Sequence, residues 1–309
     1  MTALFSPPTS PPVGADRTES RERLESLARR GRWLVIDTVA ASKAGHIGGP
    51  LSAMDVLVAL YFERLNIDPA DDKNPDRDRF ILSKGHCAIG LYSVLALRGY
   101  FPEAELATFD HGDSRLQGHP DMKLTPGVDV STGSLGQGLA AGAGIAMGAK
   151  LQGKDFRTWV MMGDGEIQEG MVWETVQSAA RFELDNLTAI IDVNGLQQFG
   201  WPGTPTARFD RAEPFSGTNL GEVFRGFGWN VLTIDGHDFD EIIGAFDDVE
   251  LLRGSGRPTV ILSMTTKGKG ISFTEGTYNW HNGIATADQL ALAALELGIT
   301  QPEPIVEEN

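Results

Sequence analysis

The chain has 309 residues and a formal net charge of −16, from 26 Lys and Arg against 42 Asp and Glu, which disfavours contact with nucleic acid or an anionic membrane. Its 41% hydrophobic and 22% charged residues are typical of a globular protein with a sizeable core. No apolar run approaches the roughly 18 residues of a membrane helix, and no signal-peptide pattern opens the chain. A single cysteine, Cys87, excludes an internal disulfide, so we expect a cytoplasmic protein in which Cys87 is a small packed residue.

The two ends of the chain differ in composition from the body. Residues 1–16 contain four prolines in two Pro-Pro pairs and predict a disordered tail. Residues 302–309 are acidic and predict a frayed tail. Residues 17–301 show neither an internal repeat nor a linker, so we expect them to form one domain.

The body begins with two predicted helices. Apolar residues recur at helical spacing from Glu19 to Ser42, and a second helix is predicted over Leu51 to Arg64. Between them, the segment AGHIGGP places His46 in a glycine-rich loop. A histidine there can be functional or can simply fill the loop, and the segment alone does not decide. Next, a short strand over Arg79 to Ser83 leads through SKGHCA, which contains His86, into a helix.

Two further loops carry polar and small residues. The segment DHGDSRLQGHP places His111 and His119 in one loop. The segment STGSLGQG, which contains Gly133, Ser134 and Leu135, opens a helix of small residues. A glycine-rich turn into a helix can bind phosphate through free backbone N–H groups, or it can allow close helix packing. Both interpretations stay open for this segment.

Residues 157–200 predict a strand, a helix and a second strand. The apolar run Trp159 to Met162 ends beside Asp164, and the apolar run Leu187 to Val193 ends beside Asn194. Open parallel sheets bind ligands outside the carboxyl ends of their strands. Carboxylate and amide oxygens suit a hard cation such as Mg²⁺. The alternative is two ordinary turns after strands.

The rest of the body alternates strands and helices. Strands are predicted over Trp229 to Ile234 and Thr259 to Met264, and helices over Leu220 to Phe227, Phe239 to Leu252 and Thr286 to Leu297. Such alternation predicts an α/β fold with a mainly parallel sheet that is covered by helices on both faces.

Six motifs resemble those of transketolases in order and spacing: AGHIGGP, SKGHCA, QGHPD, TGSLGQG, GDGEIQEG and DVNGLQ. The resemblance runs from about Leu27 to the closing helix and implies the diphosphate-binding domain of the thiamine-diphosphate-binding fold. It covers only the N-terminal part of a transketolase, without the pyrimidine-binding and C-terminal domains. The chain therefore resembles the N-terminal subunit of a split transketolase. The resemblance implies that the chain is catalytically incomplete without a C-terminal partner subunit, in an α₂β₂ heterotetramer.

The resemblance also implies a role for each matching position. The implied cofactors are thiamine diphosphate and Mg²⁺ or Ca²⁺, with the metal held by Asp164, Asn194 and the carbonyl of Leu196. Cofactor contacts are implied for His86, Gly133, Ser134, Leu135, Asp164, Gly165, Asn194 and His281. Catalytic roles are implied for His46, His86, His119, His281, Glu169 and Glu174. The last two are implied at the subunit interface, where the alternative for each is ordinary charge on a helix surface.

The implied reaction transfers a two-carbon ketol unit from a ketose or its phosphate to an aldose or its phosphate. Pentose phosphates, apulose 4-phosphate and a sulfosugar all stay open as substrates. Two positions depart from the family pattern. His281 is followed by Asn282-Gly283 rather than directly by Gly, which leaves its role open. The segment Gln197–Pro202 is bulkier than usual, and we expect it to pack against the partner or to alter the acceptor pocket.

Three alternative functions are weighed against a split transketolase. The chain could be the α subunit of a 2-oxo acid dehydrogenase or a deoxyxylulose-phosphate synthase, which also carry GDG and a downstream Asn. Neither is expected to carry AGHIGGP together with QGHPD. The third alternative is a non-catalytic subunit that binds the cofactor and regulates a partner, and the polar groups gathered by the motifs argue against it.

Overall fold

The computed structural model describes residues 17–196 and 219–300. The predicted tails, residues 1–16 and 302–309, lie outside the described residues. So does the segment Gln197–Pro202, for which we expect packing against a partner or a change in the acceptor pocket. The expectation of a single domain over residues 17–301 stays a prediction.

Within the described part of the chain, five strands form one sheet. They are β1 (Arg79–Leu82), β2 (Thr158–Gly163), β3 (Leu187–Val193), β4 (Asn230–Asp235) and β5 (Thr259–Met264). Their order is β1-β2-β3-β5-β4, and every neighbouring pair is parallel. All five carboxyl ends therefore lie at one edge of the sheet.

The α-helices of the described ranges lie between and around these strands. They are α1 (Arg17–Ser42), α2 (Gly48–Ala59), α3 (Ala88–Arg98), α4 (Gln137–Leu151), α5 (Gly170–Arg181), α6 (Leu220–Gly226), α7 (Phe239–Leu251) and α8 (Ala287–Glu296). Most helix and strand ends agree with the sequence prediction within one or two residues.

Side chains along β3 alternate between two apolar cores. Leu187, Ala189 and Ile191 pack with residues of α4, α5 and α6. Ile190 points to the opposite face and packs with residues of α1, α2, α3, α7 and α8. Because both faces are buried, the strand reads as an almost continuous apolar run. The predicted α/β fold, with helices on both faces of a parallel sheet, is confirmed.

The second helix differs from its prediction at both ends. It begins at Gly48 rather than Leu51, and beyond Ala59 it continues as a π-helical turn, Leu60–Arg64. Glycine is needed at the start of α2 because the chain passes close to neighbouring loops. A Cβ at Gly49 would lie 2.7 Å from the Sγ of Cys87. Cys87 is fully buried, which confirms its prediction as a packed residue.

Helix α8 begins at a capping box, in which Thr286 and Gln289 exchange side-chain and backbone hydrogen bonds. Asp238 caps the start of helix α7, since its carboxylate accepts from two backbone N–H groups. No helix within residues 17–196 and 219–300 combines the length and the apolar character that a membrane crossing requires.

A buried ion pair joins α1 to α2, and His237, in the loop after β4, links this pair to the loop after β5. Arg32 donates from Nη1 to Oδ1 of Asp55 at 2.9 Å and from Nη2 to Oδ2 at 2.6 Å, and both residues are 5% exposed. His237 Nδ1 lies 2.7 Å from Asp55 Oδ2, and its Nε2 accepts from the backbone N–H of Thr266. Since Nε2 accepts, Nδ1 carries the proton and donates to Asp55. Burial opposes the charge on Asp55, but Arg32 and His237 outweigh it and lower the pKa of this carboxyl.

We expect Arg32→Met to lower the free energy of unfolding by about 3 to 5 kcal/mol, because it leaves the Asp55 carboxylate buried without its guanidinium. The matched control is Arg21→Met on the same helix, where Arg21 forms an exposed pair with Glu25. This control is expected to change the free energy of unfolding by less than about 1 kcal/mol. Urea unfolding measures the free energy of unfolding of both variants. An equal decrease in both would contradict a larger contribution of the buried pair to stability.

Candidate active site

A pocket of about 460 Å³ lies at the carboxyl edge of the sheet. Ten residues that the sequence singled out line this pocket: His46, His86, His119, Gly133, Leu135, Asp164, Gly165, Asn194, Leu196 and His281. They come from segments that are far apart in the chain. The fold therefore brings together most of the positions that the motifs indicated.

Asp164 and Asn194 follow neighbouring parallel strands, β2 and β3. The carboxylate of Asp164 connects the two strand ends. Its Oδ2 accepts from the backbone N–H of Gly195 at 2.6 Å, and its Oδ1 accepts from the N–H of Gly165 at 2.8 Å. The two turns are thus held side by side, as expected for strand ends at one edge of a sheet.

Asp192, which the sequence did not single out, also lines the pocket. It is 1% exposed and sits on β3, two residues before Asn194. Its Oδ2 accepts from Lys84 Nζ at 2.5 Å, Ser52 Oγ at 2.6 Å and Asn194 Nδ2 at 3.1 Å. Its Oδ1 accepts from the hydroxyl of Thr265. One buried carboxylate therefore joins four segments of the chain.

The hydrogen bond to Asp192 fixes the orientation of the Asn194 amide. Because Nδ2 donates to Asp192, Oδ1 faces away from it and accepts from the backbone N–H of Leu196 at 3.0 Å. The carbonyl of Leu196 accepts from Lys267 Nζ at 3.2 Å. Asp164, Asn194 and Leu196 thus offer a carboxylate, an amide oxygen and a backbone carbonyl around one pocket, a donor set that suits Mg²⁺ or Ca²⁺.

The charges around Asp164 also favour a cation. Burial, with a further contribution from the nearby Asp192, raises the pKa of Asp164 to about 6. Burial likewise opposes the charge on Asp192, but Lys84 outweighs it and lowers the pKa of Asp192. A cation beside Asp164 would stabilise its ionised form. Among the described residues no group of three His, Cys, Asp or Glu side chains is placed to hold a metal, in keeping with a mixed set that has one carboxylate.

Three imidazole rings stand together over the pocket. The centroid distances are 5.0 Å for His46 and His86, 5.0 Å for His46 and His281, and 5.3 Å for His86 and His281. Burial, with Lys84 adding to it, lowers the pKa of His86 to about 2, and burial with Lys267 lowers that of His281 to about 3. Burial also lowers the pKa of His46. All three rings are therefore neutral at pH 7 and can each donate and accept a hydrogen bond.

The loop after β5 lies against the loop between α1 and α2. The N–H of Ile47 donates to the carbonyl of His281 at 3.1 Å, and the N–H of Gly268 donates to the carbonyl of Gly48 at 3.0 Å. Lys267 Nζ lies 2.9 Å from Nδ1 of His281. His281 lines the pocket, whereas the next residue, Asn282, is exposed.

Three of the residues singled out do not line the pocket. Ser134, Glu169 and Glu174 are exposed. Glu169 is the residue before α5, and its side chain makes no capping hydrogen bond there. It lies beside the start of α4, since a Cβ built on Gly136 would be 2.6 Å from the Cβ of Glu169. The cofactor contact of Ser134 and the interface role of the two glutamates stay predictions.

The sequence motifs did not indicate a role in the pocket for four charged residues that line it: Lys84, Glu166, Asp192 and Lys267. Glu166 accepts from Ser83 and from the N–H groups of Gly136 and Gly163, so it joins the ends of β1 and β2 to the start of α4. A signal for Asp192 was present, because it is the one charged residue in the apolar strand LTAIIDV. Lys84 stands within SKGHCA, and Lys267 within the loop that follows β5.

Residues 24–308 match the family model described as transketolase, thiamine diphosphate binding domain. The chain is 39% identical over 288 residues to one of the subunits of the apulose-4-phosphate transketolase of Phocaeicola vulgatus, covering 93% of this chain and 98% of that protein. It is 40% identical over 280 residues to the SqwG subunit of the 6-deoxy-6-sulfo-D-fructose transketolase of Clostridium sp. (strain MSTE9), covering 91% of this chain and 98% of that one.

Solved structures of longer transketolases share the fold. A transketolase variant from Pichia stipitis superposes with a TM-score of 0.81 at 30% identity, over 89% of this chain and 41% of that one. The transketolase of Campylobacter jejuni gives a TM-score of 0.80 at 31% identity, over 90% of this chain and 43% of that one. The family match and the shared fold both cover most of the chain, and we conclude that it belongs to the transketolase family as a thiamine diphosphate binding domain.

Proposed function

We propose that this chain is the cofactor-binding subunit of a two-component transketolase, which transfers a two-carbon ketol unit from a ketose to an aldose. The observation that carries the proposal is the pocket that joins an oxygen donor set for a cation to three neutral imidazoles. The chain spans 98% of two relatives named as transketolase subunits but only 41% of the solved transketolase chain from Pichia stipitis. That both relatives are named as subunits supports a separate partner subunit.

In this proposal the oxygens of Asp164, Asn194 and Leu196 would hold Mg²⁺ or Ca²⁺, which would supply positive charge for a diphosphate. Lys267 and His86 lie in the same pocket and supply an ammonium and an imidazole for the diphosphate oxygens. Thiamine diphosphate supplies, when bound, the nucleophilic carbon and the electron sink of the reaction. Further cofactor contacts are proposed for Gly133, Ser134, Leu135 and Gly165.

The imidazoles of His46, His119 and His281 are proposed to bind the hydroxyl and carbonyl oxygens of the sugar. Burial keeps His46 and His281 neutral, so each ring has one N–H donor and one acceptor nitrogen. The Nδ1 of His281 accepts from Lys267, which leaves the Nε2 proton for the sugar. These rings orient the sugar and hold or transfer protons at its oxygen atoms.

A C-terminal transketolase subunit is proposed to cover the open side of the pocket in an α₂β₂ assembly. Leu135 at the pocket rim is 38% exposed, and Gly133 and His119 are exposed as well. Glu169 and Glu174, also exposed, are proposed to lie in this interface. A cytoplasmic location is proposed because the chain has a single cysteine.

The substrates are proposed to be sugars that carry an anionic group, either a phosphate or a sulfonate. One relative is named for apulose 4-phosphate and another for 6-deoxy-6-sulfo-D-fructose. The residues of this pocket serve cofactor and hydroxyl binding, so recognition of the anionic end of the sugar is assigned to the partner subunit.

We expect two-carbon transfer from xylulose 5-phosphate to ribose 5-phosphate only when this chain is mixed with its proposed partner subunit, because that partner is proposed to supply the pyrimidine-binding and C-terminal domains. A coupled assay with thiamine diphosphate and Mg²⁺ measures the transfer, and apulose 4-phosphate and a sulfosugar serve as further donors. Activity of the chain alone would contradict the two-component proposal. Cofactor binding without transfer from any donor would favour the regulatory alternative.

We expect Asp164→Asn to abolish the Mg²⁺-dependent binding of thiamine diphosphate to the mixed subunits, since an amide cannot supply the one charged oxygen of the proposed metal site. Asp235→Asn is the matched control, because Asp235 also ends a parallel strand but lies outside the pocket. Isothermal titration calorimetry measures binding independently of turnover. Unchanged affinity in Asp164→Asn would remove Asp164 from the metal site.

A further inference from the structure

The loop that follows β5 carries Lys267 into the active-site pocket. Lys267 is 2% exposed, and its stem lies against the start of α2, since a Cβ built on Gly48 would be 2.9 Å from both Cγ and Cε of Lys267. Its Nζ contacts the carbonyl of Leu196 at 3.2 Å and Nδ1 of His281 at 2.9 Å. One ammonium therefore touches both a proposed metal ligand and a proposed sugar-binding imidazole.

His237 reaches the same loop from the end of the neighbouring strand. At the end of β4 and β5, the backbone N–H of Gly236 donates to the carbonyl of Met264 at 2.8 Å. Two residues further along, the N–H of Thr266 donates to Nε2 of His237, also at 2.8 Å. The hydrogen bonds of a parallel pair are evenly spaced. The imidazole nitrogen therefore takes the place of the next backbone carbonyl of β4.

The buried pair of Arg32 and Asp55 sets the tautomer of His237. Oδ2 of Asp55 accepts from Arg32 at 2.6 Å and lies 2.7 Å from Nδ1 of His237. An aspartate paired with a guanidinium is ionised and can only accept, so Nδ1 carries the ring proton. The side chain of His237 is 12% exposed, and its Nε2 is left as an acceptor for a backbone N–H. A line of contacts thus runs from α1 to the loop after β5.

Lys267 is held by its backbone on both sides. On the N-terminal side, Thr265 is bound to β3 through its N–H and its hydroxyl, and Thr266 is bound to His237. On the C-terminal side, the N–H of Gly268 donates to the start of α2, and the carbonyl of Lys267 accepts from Gly276 at 2.9 Å. Release of Thr266 would let the peptide groups directly before Lys267 rotate, which would move the base of its side chain.

We propose that His237 is a positioning residue of the active site: its Nε2 holds the backbone of Thr266 so that the ammonium of Lys267 reaches the pocket. The role of that ammonium at the diphosphate is the one proposed above, on which this inference rests. His237 does not itself line the pocket. It acts through Lys267 and not through contact with the cofactor or the sugar.

The first test follows the ring of His281 in the full-length chain without cofactor. Long-range ¹H–¹⁵N NMR of histidine-labelled protein distinguishes a ring nitrogen that carries a proton from one that accepts a hydrogen bond. In the unmodified chain Nδ1 of His281 accepts from Lys267, and Nε2 carries the proton. Lys267→Met is expected to abolish this signature and so to assign it.

Two variants of His237 separate its two ring nitrogens. The amide of His237→Asn reaches only as far as Nδ1, so it keeps a donor for Asp55 but removes the acceptor from the N–H of Thr266. We expect it to change the His281 spectrum as Lys267→Met does. The longer His237→Gln places an amide oxygen at the distance of Nε2 and is expected to restore the spectrum. An unchanged His281 spectrum in His237→Asn would overturn the proposal.

The second test measures the affinity of the mixed subunits for thiamine diphosphate with Mg²⁺ by calorimetry. His237→Asn is expected to weaken binding about tenfold, the size expected when a backbone N–H loses its acceptor, and His237→Gln to restore most of the affinity. In a Lys267→Met background, His237→Asn is expected to add no further loss, because the ammonium that it positions is gone. Additive losses would overturn the proposal, since His237 would then act by another route.

Asp78→Asn is the matched control for a general loss of stability. Asp78 directly precedes β1, at the amino edge of the sheet, and its two oxygens accept from the N–H groups of Arg157 at 2.7 Å and Asn66 at 2.9 Å. An amide has a single oxygen, so this variant also removes one acceptor from a backbone N–H. It is expected to lower the melting temperature as His237→Asn does, with unchanged cofactor affinity. Equal weakening of cofactor binding in both variants would reduce the effect of His237 to stability alone and overturn the proposal.

A failure of the proposed function would look different. The absence of cofactor binding in every mixture of subunits would contradict the proposed function. The spectrum of His281 in the chain without cofactor would still decide whether His237 positions Lys267.

Discussion

The buried pair of Lys84 and Asp192 is the interaction on which the pocket depends. Each charge alone is costly to bury, and both residues are at most 2% exposed. Their attraction and the hydrogen bonds from Ser52, Thr265 and Asn194 offset this cost. Since those groups come from four segments, a fully hydrogen-bonded Asp192 requires all of them to meet at one point.

The same pair divides two neighbouring carboxylates into different roles. Lys84 neutralises Asp192, which then acts as a fixed acceptor that orients the amide of Asn194. Asp164 accepts from two backbone N–H groups, and burial raises its pKa rather than lowering it. A cation is therefore favoured beside Asp164 and not beside Asp192. Burial of the nearby imidazoles lowers their pKa and keeps them neutral, so each ring has one N–H donor and one acceptor nitrogen.

The sequence was sufficient for the strands and for the residues that follow them. Strands buried on both faces are apolar runs, so β3 and β5 were placed without error from Leu187–Val193 and Thr259–Met264. Asp164 and Asn194 stood out because each ends such a run at a glycine. The pairing of Lys84 with Asp192 could not be predicted from the sequence pattern. The two residues are 108 positions apart, and hydrophobic periodicity describes only local structure.

The strand order has a consequence for the synthesis of the chain. Among the described strands β4 pairs with β5 alone, and β5 lies between β3 and β4 although it is last in sequence. While the chain emerges from the ribosome, β4 therefore waits with both edges open until Thr259–Met264 has been made. Lys267 and His281 emerge later still. A nascent chain that has not reached them has no complete pocket, and it exposes unpaired backbone that a chaperone could bind.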